Sequence, residues 1–567
     1  MIIDNDYIAH QFSLLSKLMD IHGENSFKTK SYSVAAYTIE KLPAQLTETP
    51  PEKVIAIRGI GDAIGKKITE IMNTGELSLL REYISRTPAG VIEMLNIKGL
   101  GPKKIATIWK EMELESIGEL LYACQENRLM LYKGFGEKTQ NNVREAIEFF
   151  FNHQGSHLYA DLEVYALAID AKLKTDFPQY RFALTGEFRR QLEIIHQLEW
   201  ITTMPLEQAR EFFTANGFTE DTNKEELHDP TDIAGSILFK GPEGIRLQFH
   251  FSPEATFAIT LFENSGSTEF LDAWRHRTNW DRSASYPSEE AIFSAAGIPF
   301  ILPCLREVPA ILDTAAKQAL PTLIQPGDIK AIIHSHSNWS DGSNTLEEMA
   351  AACIQKGYEY LVISDHSKSA FYANGLKEDR IREQHHQIGE LNAKLAPFTI
   401  FKSIECDILN DGALDYSDNI LSTFDLVITS VHSNLKMSEE KAMTRLLRAI
   451  ENPYTTILGH MTGRLLLSRP GYPVDHKKII DACAENKVVI ELNAHPRRLD
   501  MDWRWIGYAL ERGVLISIDP DAHSTEGYKH IKYGVLAAQK AGLTKESNLS
   551  SLGLEQFRAF LKGRRNF

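Results

Sequence analysis

From residue 328 onward the chain alternates short, apolar, β-rich runs with stretches of helical period. Seven runs stand out, at 329–337, 358–366, 398–408, 425–433, 455–460, 488–495 and 514–523. Such alternation predicts repeated βα units and a parallel sheet or barrel. Nearly every run ends in histidine or a carboxylate. In a βα barrel the strand C-termini converge on one face, so polar side chains collecting there mark an active site.

The first 150 residues follow a different pattern. MIIDNDYIAHQFSLLSKLMDIHG reads as an amphipathic helix, and a loose repeat follows it. Its copies are IAIRGIGDAIGKKITEIM (55–72), LNIKGLGPKKIATIWKEM (95–112) and LYKGFGEKTQNNVREAI (131–147). Each sets one apolar residue between two glycines, Gly59/Gly61, Gly99/Gly101 and Gly134/Gly136, ahead of a helical pattern that carries basic residues such as Lys66 and Lys103. Glycines permit the tight turn and a close backbone approach, and the following helix points free N–H groups at an anion. A single copy would be read as an ordinary helix–turn–helix corner. Three copies point to phosphate binding, although Phe135 and the polar Thr139, Gln140 and Asn141 fit a structural role for the third equally well. Between about 156 and 315 the pattern is mixed α/β.

Composition adds limits. At 567 residues the chain is too long for one core, and about three or four domains are expected. Hydrophobic residues make up 43% and charged residues 24%, ordinary for a globular protein. The start lacks the basic segment and apolar run of a secretory signal, and no run suits a membrane span. Five scattered cysteines suggest neither a disulfide framework nor a thiolate zinc site, which fits a reducing cytoplasm. A net charge of −15 argues against broad adhesion to nucleic acid or anionic lipid. Residues 1–155, however, carry 18 Lys+Arg against 20 Asp+Glu, so most of the negative excess lies further on. A near-neutral module can still grip phosphates through its backbone.

The strand ends supply the candidate ligands. His334 and His336 are two residues apart on one strand, so their imidazoles share a face and can reach one ion. Asp341 follows in a Ser-Asp-Gly turn, and His366, Glu405, His432 and His460 end the next four runs. Asp521 and His523 end the last. Six histidines with three carboxylates form a mixed nitrogen and oxygen set that suits zinc, manganese or iron rather than calcium. One such histidine would ordinarily be a hydrogen-bonded structural residue; nine such positions converging on one face read as a metal site.

These motifs carry resemblances to known families. The glycine repeats resemble helix-hairpin-helix motifs, which bind the sugar-phosphate backbone without reading sequence. HSHSNWSDG, SDH, SIE, VHS, GHMTGR and DPDAHS resemble the polymerase-and-histidinol-phosphatase (PHP) family. That resemblance implies a distorted (β/α)7 barrel and three divalent ions, manganese or zinc and possibly iron. By position it implies one ion held by His334, His336, Glu405 and Asp521, a second by Glu405, His432 and His460, and a third by Asp341, His366 and His523. Arg464 and Arg498 are candidates to orient a phosphate, with salt bridges as the alternative. His495 stands where the family pattern has asparagine and is expected behind the ligands, and the His385–His386 pair is expected to be solvated.

The order of parts resembles the bacterial family X DNA polymerases along essentially the whole chain, which implies an α and α/β multidomain architecture. Residues 1–150 would form a helical DNA-binding domain, 156–315 a nucleotidyltransferase-like palm and thumb, and 325–567 the metal-dependent domain. In the stretch RFALTGEFRRQLEIIHQLEW, Gly186, Arg189 and Arg190 match the family's palm, but Glu187 replaces serine. Gln197, Glu199 and Gln248 stand where the family has three aspartates. Two-metal nucleotidyl transfer needs several anionic oxygens around two cations, and one glutamate with two amides does not supply them. The surviving arginines and the Ser265–Gly266–Ser267 turn could touch a phosphate or serve as scaffold.

The expected function is a DNA-binding metal-dependent phosphodiesterase, a 3′→5′ exonuclease acting on ends or abasic sites in repair, with polymerase activity lost. The alternatives are a small-molecule phosphomonoesterase, an active repair polymerase and a non-catalytic scaffold. Nothing in the sequence fixes the oligomeric state.

Overall fold

A computed structural model describes residues 3–40, 42, 45–55, 57, 60–151, 155–221, 235–241 and 245–565. Gly59, expected to open the first glycine turn, lies outside them. The chain divides into two compact units, residues 1–125 with 129–150, and 126–128 with 151–567. No helix among the described residues is long and apolar enough to cross a membrane.

The first unit is helical. Helix α1 (Asn5–His22) begins where the Asp4 carboxylate accepts the Tyr7 N–H at 2.8 Å, and ends at Gly23 with φ +82°. Three later helices follow the glycine repeats: α2 (Asp62–Thr74), α3 (Pro102–Lys110) and α4 (Glu137–Phe151). The residue between each glycine pair, Ile60, Leu100 or Phe135, is buried and anchors the turn. Gly99 and Gly134 adopt φ of +92° and +93°, where a side chain would be strained. Gly61, Gly101 and Gly136 are exposed, and no atom lies within 4 Å of where a Cβ would stand at any of them. The turn backbones therefore face open space at the helix starts, with Lys66 and Lys103 exposed beside them.

The second unit begins with a five-stranded sheet of strands β1 (Phe182–Thr185), β2 (Leu198–Thr202), β3 (Thr219–Glu220), β4 (Ser236–Lys240) and β5 (Arg246–Phe251). Their order is β1-β2-β5-β4-β3, and β2 and β5 run parallel. Trp200, Phe213, Phe239 and Phe249 fill one face. Beyond the sheet, Phe262, Phe270, Trp274 and Phe293 form a separate aromatic core.

The rest of this unit carries eight short strands: β6 (Ala331–Ile332), β7 (Tyr360–Ile363), β8 (Thr399–Lys402), β9 (Glu405–Asp407), β10 (Val427–Ser430), β11 (Thr455–Leu458), β12 (Val489–Asn493) and β13 (Ile516–Asp519). Every pairing among them is parallel, in one sheet of order β8-β7-β6 and another of order β9 to β13. Parallel bridges also join His366 to Glu405 and Ser335 to Ala522. Side chains alternate as period two demands: Ile332, Leu361, Ile363 and Ile400 pack in the core that includes the flanking helices, whereas Ala331, Tyr360, Val362 and Phe401 pack with Phe557 and Leu561 of the last helix. The strands are buried on both faces, which is why their sequence reads as unbroken apolar runs. The run at 398–408 divides into β8 and β9.

Candidate metal centre

The polar residues at the strand ends converge. Three groups present ligand atoms within 4.8 Å of one another: His336, Asp341, His366 and His523; His334, His336, Glu405 and Asp521; and His366, Glu405 and His432. His460 joins at Glu405, its Nε2 2.9 Å from Oε1. All nine residues expected from the sequence thus meet in one place. The grouping differs in three respects from the sets implied by resemblance: His336 reaches Asp341 as well as Asp521, His366 lies between Asp341 and Glu405, and His460 falls outside the group of Glu405 and His432.

Eight of the nine are buried, and His432 sits at the rim. His334 and Asp521 hold positive φ, +59° and +49°, conformations that non-glycine residues adopt at a cost and that cluster at functional sites. Two ligands are aimed from behind by acids. Glu491 Oε2 lies 2.5 Å from His334 Nδ1, and Asp407 Oδ1 lies 2.5 Å from His432 Nδ1, so each ring turns its Nε2 toward Glu405. Sequence reading missed both acids. Asp407 was discoverable, because Glu405-x-Asp407 repeats the spacing of His334-x-His336; Glu491 lies inside an apolar run and gave no such signal.

Carboxylates and imidazoles share a buried site and shift one another's protonation. Burial alone would push the His334 ring down, but Glu491, Asp521 and Glu405 hold it well above the usual histidine range. Burial likewise opposes the shift at His432 and His523, which neighbouring carboxylates nonetheless raise to about 9. Burial and the Arg498 charge push His460 down to about 3. Burial would raise Asp341 and Asp521, yet the surrounding histidines hold both well below the usual carboxylate range.

This donor set fits divalent cations. Buried His334 Nε2, His336 Nδ1, Asp341 Oδ2, His366 Nδ1, Glu405 Oε2, His460 Nδ1 and His523 Nε2 all lack a hydrogen-bond partner. Buried polar atoms are rarely left so, and several clustered together suit cations.

The two candidate arginines differ. Arg498 is buried, with Nε 3.8 Å from Asp521 Oδ2. Arg464 is not aimed at the ligands: Nε donates to the Arg498 carbonyl at 2.9 Å, Nη1 to Asp502 at 2.6 Å and Nη2 to the Leu499 carbonyl. His495 is buried, accepts the Arg497 N–H at Nδ1 (3.2 Å) and belongs to none of the three groups. His386 is exposed, but His385 is not solvated as expected: its ring packs edge-on to Phe424 at 5.0 Å, and burial lowers it to about 4.

The residues at the palm positions form internal contacts. Glu199 pairs across the sheet with Gln248 and lies 3.1 Å from His250 Nε2, and its side chain occupies the space a Cβ on Gly186 would need. Gln197 is half-buried, and Glu187 accepts the backbone N–H of His196 at 2.7 Å. Arg189 donates to Ser265 at 2.6 Å and also to Glu289, while Arg190 donates to Glu307 at 2.9 Å. Ser267 caps the following helix.

Comparison with known proteins agrees with this layout. A helix-hairpin-helix domain family matches residues 3–77 and the PHP domain family matches 333–495, short of Asp521 and His523. A Bacillus subtilis protein named DNA polymerase/3′-5′ exonuclease PolX is 32% identical over 98% of this chain and 99% of its own. Two proteins named as probable phosphatases match the C-terminal region. One from Caldanaerobacter subterraneus is 29% identical over 34% of this chain and 74% of its own, and one from Escherichia coli is 26% identical over 34% and 78%. With its helix-hairpin-helix start, its C-terminal PHP domain and a relative matched from end to end, this chain belongs to the bacterial family X DNA polymerase-like proteins.

Proposed function

We propose that this protein is a DNA-binding, metal-dependent phosphodiesterase that removes nucleotides 3′→5′ and processes DNA ends or abasic sites in repair, without polymerase activity. The observation that carries the reading is the contrast between two sites in one chain. The PHP residues converge on one buried centre with orphaned donor atoms, while Gln197, Glu199 and Gln248 offer the palm a single carboxylate. The strand connectivity and the two parallel bridges support a sheet closed as a distorted (β/α)7 barrel. Domains at 1–150, 156–315 and 325–567 suit this division of labour. Five free, buried cysteines accord with a reducing cytoplasm.

Three divalent ions bound among these residues, manganese or zinc with iron as the alternative, would supply a hydroxide nucleophile near neutral pH and neutralise the phosphate oxygens. The remaining work belongs to the chain. Glu491 and Asp407 fix the direction of His334 and His432. Arg498 holds a positive charge beside Asp521, where a non-bridging phosphate oxygen can meet it. The exposed turns at Gly61, Gly99, Gly101, Gly134 and Gly136, with Lys66 and Lys103, grip the DNA backbone through N–H groups and charge, independent of sequence.

A phosphomonoesterase of small metabolites is the second reading, favoured by the relatives named as phosphatases. The test incubates 5′-labelled primer–template with Mn2+, with and without deoxynucleotides, using wild type and His334→Ala. Shortening that depends on His334, with no extension, is expected. Extension overturns the loss of polymerase, and hydrolysis of a phosphomonoester without shortening moves the assignment to the phosphatase.

A further inference from the structure

The palm-like module touches the PHP domain through buried charge, and one of these contacts leads to the metal centre. Glu193, buried at the foot of the palm, has Oε1 3.7 Å from Arg464 Nη2 and 3.9 Å from Arg504 Nη1. Arg464 in turn donates to the carbonyls of Arg498 and Leu499 and to Asp502, whose carboxylate Arg504 also holds at 3.0 Å. One guanidinium therefore holds the 498–502 segment at three points, two backbone carbonyls and the Asp502 carboxylate. Leu499 within that segment has φ +42°, a conformation that external contacts must sustain.

The pinned segment is joined to the candidate ligands at two places, Asp500 and Arg498. The Asp500 carboxylate accepts the N–H and hydroxyl of Thr462, two residues beyond His460, at 3.0 and 2.9 Å. Its carbonyl accepts the Asn493 N–H at 2.6 Å, and Asn493 Nδ2 donates to Asp521 at 3.0 Å. At the second place, Arg498 presents Nε to Asp521. Lys540, almost wholly buried, ties the same seam by donating to the Arg190 carbonyl at 2.8 Å and pairing with Glu307 at 3.4 Å.

We propose that the palm-like module acts as a positioning element for the metal centre: Glu193 anchors Arg464, Arg464 fixes the 498–502 backbone, and Arg498 is thereby held where it meets the substrate phosphate. Glu193 and Arg464 are positioning residues, and Arg498 is the group that touches substrate. A module without its polymerase carboxylates thus keeps a function, which places a requirement on Glu193 rather than on the Gln197, Glu199 and Gln248 positions. The proposal rests on the phosphoesterase reading above, and its test separates the two.

The experiment is a double-mutant cycle in the full chain: Glu193→Ala, Arg498→Ala and the pair, with Glu193→Gln and Arg464→Lys as variants of conserved size. Turnover of 5′-labelled single-stranded DNA with Mn2+ gives kcat and KM, calorimetric titration gives Mn2+ affinity, and hydrogen exchange reads residues 496–502. Arg498→Ala is expected to lower kcat on the order of 100-fold, the loss that follows from misplacing one group in a preorganised site, with Mn2+ affinity little changed. Glu193→Ala should lower kcat about 10-fold and speed exchange in 496–502, with Glu193→Gln between it and wild type. The pair should be no slower than Arg498→Ala alone, because both act through one guanidinium. Additive losses, or unchanged exchange in 496–502, overturn the relay. If wild type spares DNA but cleaves p-nitrophenyl phosphate, the nuclease reading fails and the cycle is read on that ester. If neither substrate is cleaved, exchange in 496–502 decides alone.

Discussion

Removing the Glu289 carboxylate should open the thumb-like core locally. Arg306 is wholly buried there, with Nη1 donating to Glu289 at 2.7 Å and Nε to the Ile301 carbonyl at 2.8 Å, ringed by Phe262, Phe293 and Phe300 at 4.9 to 5.5 Å. Glu289 also receives Arg189, so Glu289→Ala leaves one fully buried guanidinium without its counter-charge and a second partly so. Breaking a buried pair from one side costs about 3–5 kcal/mol, of which the aromatic faces offset about 1–2. A net cost of roughly 3 kcal/mol corresponds to hydrogen exchange on the order of 100-fold faster in the helices Phe257–Glu263 and Glu289–Ala295, read by mass spectrometry at pH 7.5. Arg306→Met alongside Glu289→Ala should recover most of the loss, because no fully buried lone charge then remains and Arg189 is part-exposed. The pH dependence supplies a second readout. Burial would raise the Glu289 carboxyl, but Arg306 and Arg189 hold it below its ordinary value of 4.5. Its stabilisation is therefore complete above pH 4.5 and is lost as pH falls through the lower folded value, where Glu289→Gln and wild type should converge. Exchange within two-fold of wild type at pH 7.5, or a difference that persists unchanged at pH 2, refutes the reasoning.

Other expectations concern the metal centre, the glycine turns and a half-buried ring. Glu491→Gln, which weakens the acid behind His334, should lower Mn2+ affinity about 10–100-fold by calorimetry, and unchanged affinity removes Glu491 from the site. Gly99→Ala meets open space but a φ of +92°, so about 1–2 kcal/mol of backbone strain should weaken DNA binding by fluorescence anisotropy while leaving the salt slope near that of wild type. His385, lowered to about 4 from 6.5, should cost stability as pH falls from 7 toward 4, because the unfolded ring takes up its proton first. Its partial exposure discounts the effect to on the order of 1 kcal/mol, and His385→Leu should flatten that limb of a pH-dependent melting series. An unchanged slope places the acid sensitivity elsewhere.

Much of the site was legible because the ligands end apolar runs and strand period two puts His334 and His336 on one face. The grouping of these residues was not, since it depends on which strand neighbours which and on how each ring turns. Glu491 and Asp407 decide that turn for two rings, and one of them is hidden inside a fully buried strand. Arg464 shows a different limit. An arginine after a strand suits a phosphate or a set of carbonyls equally well, and only the fold around 498–502 chose between them. The Lys540 seam joins residues 350 positions apart, beyond any periodicity in the chain.

His336 and His366 carry a consequence for how many ions can be satisfied together. His336 turns Nδ1 toward Asp341 and Nε2 toward Asp521, while His366 turns Nε2 toward Asp341 and Nδ1 toward Glu405. A neutral imidazole has one unprotonated nitrogen, whereas a carboxylate can lend an oxygen to each of two neighbours. While both rings stay neutral, each completes one corner only, and Glu405 alone can be shared freely between adjacent corners. Lone pairs rather than residue count would therefore limit how many divalent ions these side chains could hold together, and a corner short of a nitrogen would be the one with room for an oxygen from outside the protein.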